Sequence, residues 1–525
     1  MSTHDFLVEI GTEELPPKAL ASLSKAFTSE ILAGLKKLQL GFADSESFAT
    51  PRRLALLVSG LDESQADKAV ERFGPAVQAA FDADGNATPA ALGFAKSCNV
   101  AIDQLQRAEK DGVEKLFYSA SQPGQPTSAL LSAIVSEALD KLPIPKRMRW
   151  GNSRAEFVRP VHWVIQLFGD EVVPGEFFGV TAGRESRGHR FHADRAIEID
   201  SPANYAALLE NQGHIIPQFD RRREMIRELV IAEGVKANAT SIIDEALLSE
   251  VASLVEYPVA LTGKFEEHYL EVPPEALILA MKSHQKTFYC VDAEGKLLPL
   301  FIAVSNIISK DPAQVIEGNE RVIRPRLADA SFFFETDKQV SLESHLAALK
   351  KIVFQDKLGT VYDRSVRIAN LSRALAPLCG ADPVLCERAA MLSKCDLMTN
   401  MVGEFADLQG LMGRYYALND GEPAEVAEAI DEQYRPRFAG DDLPAGLTGA
   451  VLAIAEKLDT LSGLFAIGQP PTGSKDPFAL RRAAIGLLRI LIEKELDLDL
   501  ATCIELAFAG LKDLDAANVD CSNKV

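Results

Sequence analysis

The 525-residue sequence lacks the residue patterns from which most active sites can be read. There is no GxxxxGK(S/T) loop and no GxGxxG following a strand, so neither common phosphate cradle is present. HExxH and GxSxG are missing as well, which removes the usual zinc-protease and serine-hydrolase signatures. Histidine is scarce, at eight residues. His189 and His192 in RESRGHRFH stand three apart, but no nearby Cys or further His completes a metal site. The seven cysteines (98, 290, 379, 386, 395, 503 and 521) are scattered and never spaced C-x-x-C, which suits reduced thiols and not a disulfide frame. No run approaches the ~18 apolar residues of a membrane span, and MSTHDFLVEIGTEELPP has neither a basic nor an apolar leader region. The expectation is a cytoplasmic protein with no membrane contact. Positive charge is also in deficit: 55 Lys and Arg face 75 Asp and Glu, a net charge of -20. That balance opposes general binding to nucleic acid unless a local patch overrides it. A chain of this length with no readable catalytic motif either uses unfamiliar chemistry or serves chemistry carried by another polypeptide.

What is present divides the chain in two. Single cores stop growing near ~250–300 residues, so two to four domains are expected. FLVEIG (6–11) reads as a buried strand. Pro16-Pro17 then opens a helix with Leu20, Leu23, Phe27, Ile31, Leu35 and Leu38 on one face. RRLALLVSGL (52–61) alternates as a second strand, and further strands are expected at 161–168, 172–178, 259–261 and 298–304. Residues 63–130 mix Gly, Pro and polar segments, with a turn at DADGN (82–86). Helices are expected at 220–233 and 242–254, and then in succession at 342–354, 362–378, 383–401, 424–433, 449–465 and 477–495. The fold class is therefore multidomain α+β: a mixed α/β region over 1–325, an all-α domain over 326–510, and a tail over 511–525.

Four stretches carry chemistry. LPIPKRMRWGNSRAEFVRPVHW holds both tryptophans, Trp150 and Trp163, and from Lys141 to His162 there are six cations against one acid, Glu156. Pro143 and Pro145 favour an extended backbone that presents Lys146, Arg147 and Arg149 as a ridge, with Arg159 following. ESRGHRFH adds Arg187, His189 and Arg190 around a flexible Gly188. Such side chains neutralise phosphates, and Trp or Arg planes stack on bases. The competing reading pairs these arginines with the abundant acids and buries the tryptophans. In the second half, MLSKCDLMTNMVGEF and IAEKLDTLSGLF resemble the helix-borne acids of metal-dependent HD phosphohydrolases, but Cys395 stands where a His should precede Asp396. That exchange removes an imidazole ligand, so Cys395, Asp396 and Asp459 read as a degenerate site with no metal. In PPTGSKDPFALRRAAIGLLRIL, Gly473 to Lys475 precede a helix that Asp476 caps. Its N-terminus with Arg481 and Arg482 could hold a phosphate. The alternative is a surface turn into a core helix buried through Ile485, Leu488 and Ile492. NERVIRPRLADASFFF ends in three consecutive Phe at the junction of the two halves, which look like an interdomain or intersubunit plug, with burial in the core as the expectation.

Taken together, FLVEIGTEELPPKAL, TPRRLAL, LPIPKRMRWG, FVRPVHW, RGHRFH, EVASLVEYPV, RPRLADASFFF, LSKCDLMTNMVGEF, EQYRPRFAGDDLP and GSKDPFALRRAA resemble the beta subunit of bacterial two-subunit glycyl-tRNA synthetase, from Phe6 to about Ala484. The resemblance implies an alpha subunit as partner, in an α2β2 heterotetramer, and tRNA(Gly) as the shared substrate. It implies that ATP and Mg are used by the alpha subunit, with no cofactor on this chain. It also implies a module similar to the B3/B4 module of phenylalanyl-tRNA synthetase and an HD-like helical domain. No catalytic residue is carried over. The tRNA-facing role of Lys146, Arg147, Arg149, Arg159, Arg187, Arg190, Arg481 and Arg482 is read from charge alone. Family members continue into a helical anticodon-binding domain, whereas this chain stops at DAANVDCSNKV. That puts anticodon contact by this chain in doubt and affects contact with the acceptor end or elbow of the tRNA less. The rival readings are a metal-dependent phosphohydrolase acting on a nucleotide and a pure assembly scaffold.

Overall fold

A computed structural model describes residues 2–82, 85–512 and 514. It falls into two compact units, one made of the residues up to Thr262 with Ile302–Pro312, the other of Gly263–Phe301 with the residues from Ala313 onward. The expected tail over 511–525, with Cys521, lies almost wholly outside the described residues.

The first unit is built from β1 (Thr3–Thr12), α1 (Pro17–Lys37), β2 (Asp44–Thr50), β3 (Arg53–Asp62), β4 (Lys68–Ala76), α2 (Pro89–Cys98), β5 (Gln106–Lys110), β6 (Val113–Gln122) and α3 (Thr127–Asp140). Then come β7 (Met148–Arg149), β8 (Glu156–Phe157), β9 (Val161–Phe168), β10 (Glu171–Val172), β11 (Glu185–Arg187), β12 (Ala196–Glu198), α4 (Phe219–Lys236) and α5 (Glu245–Ala252). The main sheet has the order β10-β9-β1-β3-β2 and is antiparallel throughout. Val8 of the central strand lies opposite Leu56 on one side and Gln166 on the other.

β1 is buried on both faces, and for that reason FLVEIG reads as a nearly continuous apolar run. Phe6, Val8 and Ile10 point into a core completed by Leu20, Leu23, Phe27, Ile31 and Leu35 of α1 and by α3. Leu7 points the other way, into a second cluster with Phe48, Ile165, Ile197 and Tyr205. Glu9 shares that second face. Leu38, expected on the buried stripe, is the residue at which α1 ends and is only partly covered.

The stretch 63–130 contains a separate antiparallel sheet, β4-β6-β5, that its Gly, Pro and polar residues do not announce. Among the described residues its buried cluster is Ala80, Ala91 and Leu116 with partly covered neighbours, so no strong alternation marks it. The expected turn closes with Asn86 N donating to Asp82 Oδ1 at 2.7 Å, although Ala83 and Asp84 lie outside the described residues.

The second unit carries the helices α6 (Pro312–Asp337), α7 (Val361–Cys379), α8 (Pro383–Leu392), α9 (Leu411–Asn419), α10 (Ala424–Glu432), α11 (Leu447–Ala466), α12 (Leu480–Glu493) and α13 (Leu500–Ala509). Position 325, where the sequence placed a boundary, falls inside α6. α11 is buried on nearly every side, as expected of a central helix. Two expected helices are broken. Residues 342–354 form short helical turns over Leu342–His345 and Leu346–Leu349, then a strand at Val353–Gln355. Residues 383–401 are interrupted after Leu392 by a 3₁₀ turn at Cys395–Met398, and Thr399 Oγ1 caps the next helix at Val402 N. In SFFF only Phe334 is buried, and Phe332 is 66% exposed. Three consecutive residues on a helix point ~100° apart, so they cannot all face one core.

Candidate functional site

The basic stretch lies on the first unit, with Lys146, Arg149 and Arg154 exposed. After α3 the two prolines lead into the β7–β8 ribbon, where Arg149 lies opposite Glu156 and its Nε donates to that carboxylate. Arg147 Nη2 donates to the Asp140 carbonyl at 3.1 Å, closing the chain onto the end of α3. Lys146 is exposed and has no ionic partner among the described residues. Arg159 reaches back along the ribbon, its Nη1 3.8 Å from Met148 Sδ, and its Nε donates to the Glu14 carbonyl at 2.9 Å. Arg190 then pairs with Glu13 at 2.6 Å and lies 3.8 Å from Glu14. Arg190, hydrogen-bonded to it, is the main cause of a Glu13 pKa below the carboxylate norm. Arg159, Arg190, Glu13 and Glu14 line one cavity of about 340 Å³ with Pro16 and Pro17.

The tryptophans are not an exposed stacking platform. Trp163 is buried, and Trp150 is half-buried with its ring 6.4 Å from that of Phe178. Trp163 Nε1 donates to Glu9 Oε1 at 2.6 Å, and its ring leaves no room for a Cβ at Gly11, which would sit 1.9 Å from the indole.

Beneath the surface lies a buried polar network that the sequence reading missed. Arg53 is fully buried between Glu9, 3.8 Å away, and Glu256, at 3.3 Å. Burial alone would depress its pKa, but Glu256 and then Glu9 outweigh that and hold it above the ordinary value. Ser186 Oγ donates to Glu9 at 2.9 Å, and Thr50 Oγ1 donates to Glu256 at 2.8 Å. The guanidinium of Arg53 lies 5.7 Å from the Trp163 ring centroid, and that of Arg52 lies 5.5 Å away. Arg53 Nη2 also donates to the Arg187 carbonyl at 2.9 Å, so the network fixes the backbone from which the exposed Arg187 side chain projects. Two features of the sequence signal it: a lone Glu inside FLVEIG, and Arg53 at the head of an apolar strand.

His189 is buried, and its Nδ1 accepts from the backbone N–H groups of Phe191 and His192 at 3.2 and 3.3 Å. His192 Nε2 accepts from Ile308 N at 2.9 Å. These nitrogens serve the backbone, and no group of three or more His, Cys, Asp or Glu suited to a metal occurs among the described residues.

In the second unit Cys395, Asp396 and Asp459 are all buried. Burial, with Asp396 adding to it, pushes the Cys395 thiol up to about 12. Asp396 Oδ2 accepts from Gly410 N at 2.5 Å, and burial raises its pKa to about 6. Asp459 is gripped by Arg367 at 2.7 Å. Each carboxylate therefore has a protein partner.

The segment before α12 is arranged differently from the expectation. The helix starts at Leu480, with Ala479 as its cap residue in the left-handed region, and not at Pro477. Asp476 Oδ1 accepts from Leu480 N at 2.9 Å and Oδ2 from Arg481 N at 3.0 Å. A carboxylate already fills the anion position at this helix end. Arg481 Nη2 donates to the Gly473 carbonyl at 2.6 Å, whereas Arg482 is exposed and lines a cavity of about 1210 Å³. Ile485, Leu488 and Ile492, expected in the core, are exposed, and the buried face is Leu480, Gly486, Leu487 and Ile490.

Comparison with known proteins identifies the family. The profile of the glycyl-tRNA synthetase beta subunit family matches residues 6–524. The chain belongs to that family. A glycine–tRNA ligase beta subunit from Hahella chejuensis is 56% identical over 520 residues, covering 99% of this chain and 75% of the relative. The beta subunit from Marinobacter nauticus is 55% identical over 508 residues, 97% of this chain and 73% of the relative. That from Chromohalobacter salexigens is 54% identical over 517 residues, 98% and 75% respectively. Family membership makes the chain part of an aminoacyl-tRNA synthetase, with a role in glycyl-tRNA synthesis and an alpha subunit as its counterpart. Among the described residues no helix is long and apolar enough to cross a membrane.

Proposed function

We propose that this chain is the tRNA-positioning subunit of a two-subunit glycine–tRNA ligase. In this reading the alpha subunit activates glycine with ATP and Mg, the two chains assemble as α2β2, and this chain holds tRNA(Gly) so that its terminal adenosine meets the adenylate. The observation that carries the proposal is the set of exposed cations Lys146, Arg149, Arg187 and Arg190 on the first unit, with Arg159 bridging from Met148 of the β7–β8 ribbon to Glu14 beside Arg190, in a chain of net charge -20. Phosphate contacts of this kind fix register and carry no sequence information by themselves. Their contribution to rate is orientation, where well-placed reactants gain ~7–11 kcal/mol over free encounter.

The helical unit is read as an HD-like scaffold without its metal, and part of the first unit as B3/B4-like. The partners of Asp396 and Asp459, and the buried neutral thiol of Cys395, support the first of these. Arg481 and Arg482 extend the tRNA-facing set onto this unit.

The test is binding of tRNA(Gly) as a function of salt. Each phosphate contact removed lowers the slope of log K against log [salt] by ~0.7–0.9. Replacing Lys146, Arg147 and Arg149 together by Ala should flatten the slope by about 2. An unchanged slope rejects this surface as the tRNA site.

A further inference from the structure

The large cavity of the helical unit has a composition at odds with the rest of the chain. Lys282, Arg364, Arg437, Lys457 and Arg482 line it, against only Asp407 and Glu456. One of those acids is already neutralised from within. Glu456 lies 2.6 Å from Arg364 and 3.6 Å from Lys394, and against the cost of burial these cations hold its pKa down to about 2. Lys394, buried beside Arg364, is in turn pushed down to about 8, with its Nζ 4.3 Å from the ring centroid of Tyr434, another wall residue. Lys457 Nζ donates to the Arg435 carbonyl at 2.8 Å. The deep wall is thus internally satisfied.

The mouth is different. Arg482 is exposed and forms no salt bridge among the described residues, its charge being felt by Asp476, and Arg437 shares Asp431 with Arg435. Beside them on the lining are two aromatic rings in contact with solvent, Phe438 at 66% and Phe478 at 43% exposure. Guanidinium groups match phosphate in two-point geometry, and exposed rings offer a face to any base. The cavity exceeds the ~300–1,000 Å³ typical of small-ligand sites, so a base, ribose and phosphate fit together. With Asp476 occupying the N-terminus of α12, a phosphate here falls to side chains and not to the helix end.

We propose that this cavity binds one nucleotide unit, its phosphate on Arg482 and Arg437 and its base against Phe438 and Phe478. The same chemistry is offered by a free nucleoside phosphate and by an unpaired nucleotide of an RNA. The site stands on the second unit alone and does not depend on the basic surface of the first.

The test is calorimetric titration of the full chain with adenosine 5′-monophosphate and, separately, with a 5′-phosphorylated adenosine trinucleotide. At least one probe should bind, and Arg482→Glu and Phe438→Ala should each weaken it about tenfold. Both replace exposed side chains, so an unchanged melting temperature certifies the fold. Arg321→Glu, on α6 and outside the cavity lining, should leave binding intact. Binding of the mononucleotide alone identifies a free nucleotide as the occupant, and binding of the trinucleotide alone identifies an RNA segment. Binding of neither at millimolar concentration, or binding indifferent to both cavity variants, overturns the proposal. Failure here with normal tRNA salt dependence would leave the tRNA-positioning reading standing.

Discussion

Arg367 holds Asp459 by two hydrogen bonds, Nε to Oδ1 at 2.7 Å and Nη2 to Oδ2 at 3.3 Å, with Arg364 Nε a further 3.5 Å from the same carboxylate. All three side chains are largely or fully buried, so the pairing is structural. Asp459→Ala leaves a buried guanidinium unpaired and should cost about 3–5 kcal/mol in urea unfolding, with Asp459→Asn costing less. Manganese at millimolar concentration should not raise the melting temperature of the wild type. A clear rise would restore the phosphohydrolase reading.

Trp163 separates structural from RNA-facing roles in the opening basic stretch. Trp163→Phe removes the donor to the buried Glu9 carboxylate and part of the packing on Gly11. The expected loss is about 2–3 kcal/mol by denaturant titration. The salt slope of tRNA binding should not change, because the indole is inside the unit. A slope that falls with this variant would place the ring at the RNA.

Glu156 ties down a cation that the tRNA reading wants free. An exposed pair of this kind contributes at most about 1 kcal/mol to folding, so Glu156→Gln should barely move the melting temperature. By releasing Arg149 it should tighten tRNA(Gly) binding roughly threefold at low salt. Weaker binding would mean that the ribbon geometry, and not the charge of Arg149, is what matters.

Asp396 gives the helical unit a pH signature. Its pKa is about 6 in the folded chain, against 3.8 for an ordinary Asp, because of burial. Between those values the folded state binds more protons than the unfolded state, so this residue's contribution to stability falls as pH rises through that window. Two pK units correspond to about 3 kcal/mol. The difference in unfolding free energy between wild type and Asp396→Asn should therefore shift against the wild type from pH 4 to pH 6 and level off above. A flat difference would show that the carboxyl is not buried as described.

The elements with one dominant face were legible in the sequence. α1 buries the five positions Leu20 to Leu35 that its spacing marks, and β9 spans the expected residues. The helix α12 was expected, but its buried face was not legible, because it is apolar on more than one side. Ile485, Leu488 and Ile492 fit the helical period as well as the face that is buried. The close approach of Gly486 to Lys457 of α11 accompanies the other choice, and no local pattern encodes it. The basic surface was visible as a departure from the net charge, but its support was not. Glu9 and Glu256 lie far apart in sequence and meet only through Arg53, a long-range pairing that spacing cannot reveal.

The most direct test of the account is glycylation of tRNA(Gly) by this chain alone and together with a purified alpha subunit. The account predicts no product from the chain alone, product from the pair, and a loss of product with Lys146, Arg147 and Arg149 replaced together while the alpha subunit still forms glycyl-adenylate. Glycyl-tRNA made by this chain without the alpha subunit would contradict it.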